Sequence, residues 1–357
     1  MRPLPTTQDE SWRYSPINDL DLDGFVAGEA LVSVNPADPA VVVETSPLAD
    51  LARLDYPEPD GLTDLHDRFA EQETVVRIPK GKVASGTIEV LVTVAPGKVA
   101  SFPHVVIEAG EASEATVVLT AIGGDGGALS VPVVELRIGQ AANLRFVSSQ
   151  QLAADAWQLG HLLASVGRDA TLRGWLVATG GGYAREYVSA LLPEQGATAK
   201  IAGVYFGDER QVIDFRSLQD HVGSRSISDF QLKGAVVDEA HGVYTGLIRV
   251  QEGAKATESF LGNRNLVLGE GAHVDSVPNL EIVNENDIRS CGHAAATGPV
   301  DEEHMFYLES RGVPTLTAER LIVTGFFEEI LESIPVGGVA DAARHIVSRK
   351  LEKVTSA

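Results

Sequence analysis

Cys291 and His293 are the residues whose types and spacing best suit chemistry in this chain. They lie in the segment 290–294, Ser-Cys-Gly-His-Ala, and Cys291 is the one cysteine in 357 residues. In an extended strand, residues i and i+2 point to the same face roughly 6.5 Å apart, so a thiolate and an imidazole could converge on one iron or one cluster edge. Structural zinc and iron–sulfur clusters usually take about four ligands. If the pair binds metal, the site must therefore be shared with another chain. A lone C-x-H is a weak signal, and from the spacing alone a buried structural cysteine beside a surface histidine is the favoured alternative.

A second group of candidate residues lies in the later part of the chain. Its members are His221, His241, His273, Asp220, Asp238 and Asp275. They could be combined into a hydrolase or a metal site, but the chain has no G-x-S-x-G or H-E-x-x-H signature. Surface histidines at turns are the favoured interpretation. The glycine-rich segments 123–127 and 180–182 are not followed by Lys-Ser or Lys-Thr, which indicates loops rather than a nucleotide-binding loop.

Short stretches rich in β-branched residues begin near residue 73 and are the elements that must position these side chains. Strands are predicted at Thr74–Ile78, Ile88–Val94, Val105–Glu108 and Thr116–Thr120. No helix-length amphipathic segment separates them, which argues against alternating strand–helix units with a parallel sheet.

Glycine followed closely by alanine recurs after these strands at a nearly constant interval. The positions are Gly110, Gly139, Gly167, Gly196 and Gly253. The first steps between them are 29, 28 and 29 residues. A fixed period of this length indicates stacked structural repeats, and about 28 residues suit one coil of a parallel β-helix. We expect glycine to supply the corner conformations that other residues adopt only with strain.

The chain divides into an arm at 1–72, a β-helix core at 73–299 and a helical segment at 300–357. Residues 8–64 carry thirteen Asp and Glu against two Arg, which favours a flexible, partly ordered and solvated arm over an acidic docking arm for a basic partner. A short helix is predicted near 62–72.

Three helices are predicted at the C-terminal end of the chain. They run from about Asp301 to Gly312, from Thr317 to Ser333 and from Asp341 to Val354, with Gly337 and Gly338 breaking the second. Met305, Phe306 and Leu308 would give the first of these helices an apolar face. The adjacent Phe326 and Phe327 cannot both face one core, so either one is exposed for docking or the helix lies between two apolar surfaces.

The bulk composition restricts the partners. The net charge of −22 disfavours nucleic acid and anionic lipid as binding partners. No run of about 18 apolar residues exists, so no transmembrane helix is expected. The absence of a signal peptide and the single cysteine predict a reducing, cytoplasmic location.

Several segments resemble the C-terminal signature of the SufB/SufD family of iron–sulfur cluster assembly scaffolds. They are Asn263–Leu268, Val274–Ile282, Cys291–Gly298 and Glu302–Gly312, preceded by Asp220-His221, Ser224–Ser226 and Lys233-Gly234. Their order and spacing hold over about 220–335. The single cysteine and the length make the chain most similar to the SufD type, because SufB-type subunits are longer and usually carry several cysteines.

The resemblance implies a right-handed parallel β-helix and a non-catalytic scaffold subunit of the SUF system. It implies a SufB-type partner bound through the β-helix and a SufC-type ATPase bound through the C-terminal helices. Exposed coil edges would also allow a homodimer of the isolated chain, since the same surface could pair with itself. A transient iron–sulfur cluster would be shared with the partner, with His293 as the favoured ligand and Cys291 as a second candidate. Two other readings stay open: a carbohydrate-active β-helix enzyme, and a purely structural partner without cluster ligands.

Overall fold

The computed structural model describes residues 1–48, 53–283 and 287–354, with side chains described as far as residue 352. The last predicted helix includes Lys353, whose side chain lies outside the described residues. Strands dominate the described part. They are β1 Val26–Ala27, β2 Leu31–Asn35, β3 Val42–Pro47, β4 Gln72–Ile78, β5 Val83–Val94, β6 Val99–Ser101, β7 His104–Ala109, β8 Glu114–Gly123, β9 Leu129–Ser130, β10 Val133–Ile138, β11 Asn143–Leu152, β12 Trp157–Val166, β13 Thr171–Ala178, β14 Tyr183–Leu192, β15 Thr198–Gly207, β16 Val212–His221, β17 Ile227–Val237, β18 His241–Val250, β19 Glu258–Leu268, β20 His273–Ile282 and β21 Ser290–Gly298.

The strands form two sheets that face each other across one core. The main path of the first sheet is β20-β18-β16-β14-β12-β10-β7-β4-β3, and the second sheet is β2-β5-β8-β11-β13-β15-β17-β19-β21. From β4 to β21 all neighbouring pairs are parallel, and each coil contributes a strand to each sheet. Asn143 pairs with Thr171, 28 residues later, and Glu258 pairs with Ser290, 32 residues later. The predicted parallel β-helix and its four predicted strands are confirmed.

The core of the β-helix is a column of apolar side chains that alternate strand positions send inward. In β11, Leu144 and Phe146 are each 1% exposed. Arg145 between them points outward and its guanidinium lies 2.8 Å from the carboxylate of Glu114 in the preceding coil. This period of two is the pattern of a strand with one buried face. Burial stabilises the stack coil by coil, at about 25 cal/mol for each Å² of apolar surface removed from water.

The corner glycines act differently from the prediction. Gly110 does not adopt the left-handed conformation; a Cβ there would lie 2.7 Å from the backbone nitrogen of Lys80 in the previous coil. The left-handed residues of these corners are Ala112, Ala141 and Asp169. Gly196, with φ of 75°, is the glycine that fits the prediction. At most corners glycine is required because adjacent coils approach closely, and the next residue or two carries the turn.

The described residues of the N-terminal arm pack on the β-helix. Strands β2 and β3 pair antiparallel with β5 and β4 and cover the first coil. Trp12 is buried, and the guanidinium of Arg185 lies 3.8 Å from the centroid of its ring. The predicted short helix is present as α1, Gly61–Phe69, and Asp60 caps it by accepting hydrogen bonds from two backbone amides. The division of the chain at residues 72 and 299 stays a prediction.

Two of the C-terminal helices cover the outer face of the second sheet. The helices are α2 Glu302–Ser310, α3 Thr315–Leu331 and α4 Gly337–Val354. Phe327 on α3 is buried with its ring 6.4 Å from that of Phe206, while Phe326 is half-buried beside Lys233. The indole nitrogen of Trp175 donates to Ser333 Oγ at 2.8 Å. Both phenylalanines therefore contact the body, in agreement with a helix placed between apolar surfaces.

One detail of the helical segment was predicted wrongly. Gly337 and Gly338 begin α4 instead of breaking α3, whose end comes at Leu331, four residues before Pro335. Helix α2 buries none of its residues fully. Of its predicted apolar face, Met305 and Leu308 are half-buried and Phe306 is 72% exposed. No helix in the described ranges has the length and hydropathy needed to cross a membrane.

Candidate metal centre at the open end

The β-helix ends differently at its two ends. The first coil is covered by the antiparallel strands β2 and β3, whereas β20 and β21 are the last strands of the two sheets. Within the described residues, neither β20 nor β21 has a strand on its outer side. Pro278 lies in β20, as expected for an edge strand, because proline has no amide hydrogen to donate to a neighbour. We call this end, formed by β20 and β21, the open end.

Cys291 and His293 both lie in β21 at the open end. In the parallel register Cys291 pairs with Ser259 and His293 pairs with Leu261. Ser259 and Leu261 are buried in the interior, so the two candidate ligands stand in the same inward-facing columns at the uncovered end. Cys291 is half-buried against the core, and His293 is exposed. The structure thus places both residues on one face, as the spacing predicts.

Burial controls the protonation of the thiol. It raises the pKa of Cys291 above its ordinary value, so the thiol stays protonated at neutral pH in this chain alone. A thiolate is the form that binds metal. A metal ion or another positive group at the open end would favour the thiolate, which ties ligand formation to the arrival of the metal or of a partner.

A polar column runs inward from Cys291. Ser259 Oγ lies 2.7 Å from Ser228 Oγ, and Ser228 Oγ lies 2.8 Å from Nε2 of His221. His221 is fully buried, and its Nδ1 lies 2.7 Å from Ser226 Oγ. Desolvation lowers the pKa of His221 to about 4, so the ring is neutral. The expectation of a surface histidine is wrong for His221, because the ring at the end of β16 turns into the core and meets the hydroxyls of Ser226 and Ser228 just across the corner.

An amide cluster links the two sheets just below the open end. Asn265 Nδ2 donates to Asn263 Oδ1 at 2.7 Å, and Ser276 Oγ of the opposite sheet donates to the same oxygen at 2.7 Å. Tyr205 Oη donates to Asn265 Oδ1 at 2.8 Å. Buried polar groups that satisfy one another fix side-chain positions firmly. The segment Asn263–Leu268 is one of those that resemble the family signature. Its role in linking the two sheets by hydrogen bonds was not predicted.

The other candidate residues divide into a cluster and two separate aspartates. His241, His273 and Asp275 come together on β18 and β20, with one potential ligand atom from each lying within 4.8 Å of the others. Asp220 is buried and accepts from Gln251 at 2.8 Å. Asp238 is exposed at a corner and accepts from the amide of Glu209 at 3.0 Å. Surface histidines at turns are therefore an incomplete description of His241 and His273.

Cys291 and His293 make half of an ordinary metal site. Among the residues that the structure describes, no group of three or more potential ligands includes either of them. Two ligands on one uncovered face can hold one side of an iron ion or a cluster, and the remaining positions need donors from outside the described residues.

Comparisons with known proteins show which family the chain resembles. Residues 92–326 match the family model described as SUF system FeS cluster assembly, SufBD core domain. A SufBD family iron–sulfur cluster assembly protein of Mycobacterium bovis is 33% identical over 363 residues, covering 98% of this chain and 90% of that protein. The chain is also similar to the iron–sulfur cluster assembly protein SufD of Bacillus subtilis, at 25% identity over 82% of this chain and 67% of the relative. SufD of Escherichia coli is 31% identical over 51% of this chain and 43% of the relative.

The chain belongs to the SufBD family of iron–sulfur cluster assembly proteins. Within the family its likeness is to the SufD type, as the single cysteine and the C-terminal segments predict. Family membership gives the chain a role in the assembly of iron–sulfur clusters within the SUF system.

Proposed function

We propose that the chain is a non-catalytic, cytoplasmic scaffold subunit that helps iron–sulfur clusters form at a seam with a SufB-type subunit. The observation that carries the proposal is the pair Cys291 and His293, which share the inward-facing columns at the uncovered end of the β-helix. Two ligands on an uncovered face leave the rest of the coordination to a second chain. The cluster is the cargo of this site, formed there transiently and passed on.

The backbone of the open end supports pairing with a partner strand. An edge strand presents a row of amide and carbonyl groups that another chain can complete by adding a strand. Such pairing would bring partner side chains next to β20 and β21. The same edges can pair with a second copy of this chain when no SufB-type subunit is present, which gives a homodimer through one self-complementary surface.

The first prediction is that His293→Ala lowers the yield of cluster in the reconstituted complex severalfold without unfolding the chain. His293 is exposed, so its removal leaves no cavity in the core. The measurements are the visible absorbance of the cluster and the iron content for each mole of complex.

The matched control is His345→Ala, an exposed histidine on α4. Equal yields from His293→Ala and wild type would remove His293 from the site. If Cys291→Ser also left the yield unchanged, the purely structural partner would replace this proposal. Turnover of acidic polysaccharides by the isolated chain would instead support the carbohydrate-active enzyme.

The second prediction concerns the SufC-type ATPase, which we propose binds to the exposed apolar side chains of α2 and the start of α3. These side chains are Phe306, Tyr307, Leu316 and Leu321, exposed by 72%, 56%, 50% and 54%. Because α2 buries no residue, the double substitution Phe306→Ser and Tyr307→Ser should preserve the fold while weakening ATPase binding at least tenfold in titration calorimetry.

Val83→Ser provides the control, because Val83 is 61% exposed on β5 and is not part of the apolar cluster between the helices and the second sheet. Undiminished affinity in the double variant would place the ATPase interface elsewhere. Deleting the whole helical segment is a poorer experiment, because α3 and α4 cover the outer face of the second sheet.

A further inference from the structure

His241, His273 and Asp275 form a group on the first sheet, separate from the residues of the open-end site. His241 of β18 pairs directly with His273 of β20, and Asp275 lies two residues further along β20. The imidazole rings stack with centroids 3.8 Å apart and planes 25° apart. Nε2 of His241 and Oδ2 of Asp275 are 2.8 Å apart. Three potential donors from two adjacent coils are thus held at one place.

The group lies on the outer face of the sheet. Val274, between His273 and Asp275, packs against the apolar core, so its two neighbours on the strand point outward. The side chain of His241 is 14% exposed and that of Asp275 is 33% exposed, while His273 is exposed. The arrangement is a shallow niche whose floor is His241 and whose open side faces the surroundings.

The donors have the composition of a transition-metal site. Imidazole nitrogen bound at about 2.0–2.1 Å, together with a carboxylate oxygen, suits iron, zinc and cobalt, and two histidines with one carboxylate leave positions open for water. Donor atoms within 4.8 Å of one another can reach such an ion through small rotations of the side chains.

A hydrogen bond alone explains only part of the arrangement. The contact between His241 and Asp275 accounts for one imidazole nitrogen and one carboxylate oxygen. It does not account for the ring of His273, which stacks on that of His241. Two stacked imidazoles repel each other when both are protonated, whereas a shared metal ion would stabilise them side by side. In the hydrogen bond, Nε2 of His241 carries the proton and donates it to Asp275 Oδ2, and a bound ion would take the place of that proton.

We propose that His241, His273 and Asp275 bind one divalent first-row transition-metal ion, with water completing its coordination. The site is distinct from the cluster site, because its residues lie on the opposite sheet from Cys291 and His293. The inference does not rest on the proposed scaffold function. It adds a resident or delivery site for a metal ion on the last two coils of the β-helix.

The test is titration of the untagged, metal-free chain with Co²⁺, followed by the visible bands of the bound ion, and with Zn²⁺ in competition. We expect one saturable equivalent in the wild type. His273→Ala and Asp275→Asn should each weaken binding at least tenfold, with unchanged circular dichroism, because both positions are partly or fully exposed. The double variant Cys291→Ser and His293→Ala should retain the equivalent.

The control for a general loss of histidine is again His345→Ala, which should bind Co²⁺ like the wild type. No saturable binding, or equal affinity in His273→Ala and the wild type, would overturn the proposal. Loss of the equivalent in the Cys291 and His293 double variant would assign the ion to the open end instead. A failure of cluster assembly with normal Co²⁺ binding would overturn the scaffold function and leave this site intact.

Discussion

Buried histidines are the residues whose environment differs most from what their place in the sequence indicates. His221 lies inside the β-helix between serine hydroxyls, and His66 lies between Val131 O at 2.7 Å and the ring of His104 at 3.0 Å. Desolvation lowers the pKa of His66 and of His161 to about 3 and that of His221 to about 4. These rings are neutral in the folded chain across the physiological range.

The third prediction follows from these pKa values. As the pH falls from about 6.5 towards 4, the unfolded chain takes up protons on His66, His161 and His221 while the folded chain does not. The free energy of unfolding therefore decreases with falling pH, by up to about 1.4 kcal/mol per pH unit for each histidine. Urea unfolding of wild type and His221→Asn at pH 7, 6 and 5 measures the effect.

His221→Asn removes one of the three histidines that take up a proton on unfolding. Its free energy of unfolding should therefore change less with pH than that of the wild type. Carboxylates contribute equally to both chains and cancel in this difference. His345→Asn, at an exposed position, should keep the wild-type slope. Parallel slopes for His221→Asn and wild type would show that His221 titrates normally in the folded chain.

At the scale of secondary structure, the helices of the C-terminal segment divide into a packed pair and an unpacked one. Helix α3 contributes Val323, Phe327, Ile330 and Leu331 to an apolar cluster with α4 and the outer face of the second sheet. The ring of Phe327 is 1% exposed. Arg344 on α4 contacts Glu328 on α3 at 2.9 Å, which joins the two helices. Helix α2 has no comparable contact with the core.

The fourth prediction uses this difference. Phe327→Ala should lower the free energy of unfolding by about 3–5 kcal/mol, because it removes a buried ring and leaves a cavity. Phe306→Ala on α2 should change it by less than about 0.5 kcal/mol, since Phe306 is 72% exposed. Denaturant unfolding of both variants measures the two values. Similar losses in both would mean that α2 packs on the body.

The sequence predicts local patterns well and contacts between coils poorly. Stretches of β-branched residues locate β4 and β5, and Asp301 marks the start of α2 by accepting from the amides of Glu303 and His304. The role of Gly110 depends on a backbone atom in another coil, and the meeting of His241 with His273 depends on register. Register is set by stacking over about 30 residues, which no short motif encodes.

On the scale of the whole molecule, the contrast between the covered first coil and the open end determines how the chain can associate. Leu280 of β20 is 38% exposed at the open end, and it stands in register with Ile248, which is fully buried in the previous coil. The apolar column therefore reaches the surface at this end. Another chain placed against it would bury both the column and the strand edges.

The fifth prediction is that the isolated chain associates with itself through the open end. Leu280→Lys puts a charge in the apolar column, which should shift the isolated chain to monomer in sedimentation equilibrium at concentrations where the wild type is dimeric. Val83→Lys, at a more exposed position on β5, should behave like the wild type. If Leu280→Lys has the same dimer dissociation constant as the wild type, self-association must use another surface.

The binding place of Trp12, on Arg185, has a consequence for the order in which the chain folds during its synthesis. Arg185 covers the indole, donates to the backbone oxygen of Ser11 at 2.8 Å and is ion-paired with Asp214. A ribosome that adds about 5–20 residues per second reaches Asp214 about 10–40 seconds after it has added Trp12. The segment around Trp12 therefore cannot make its contacts with Arg185 until the coils that contain Arg185 and Asp214 have been synthesised and have folded. We expect the acidic arm to stay hydrated until then, so that its docking comes after the folding of the middle coils.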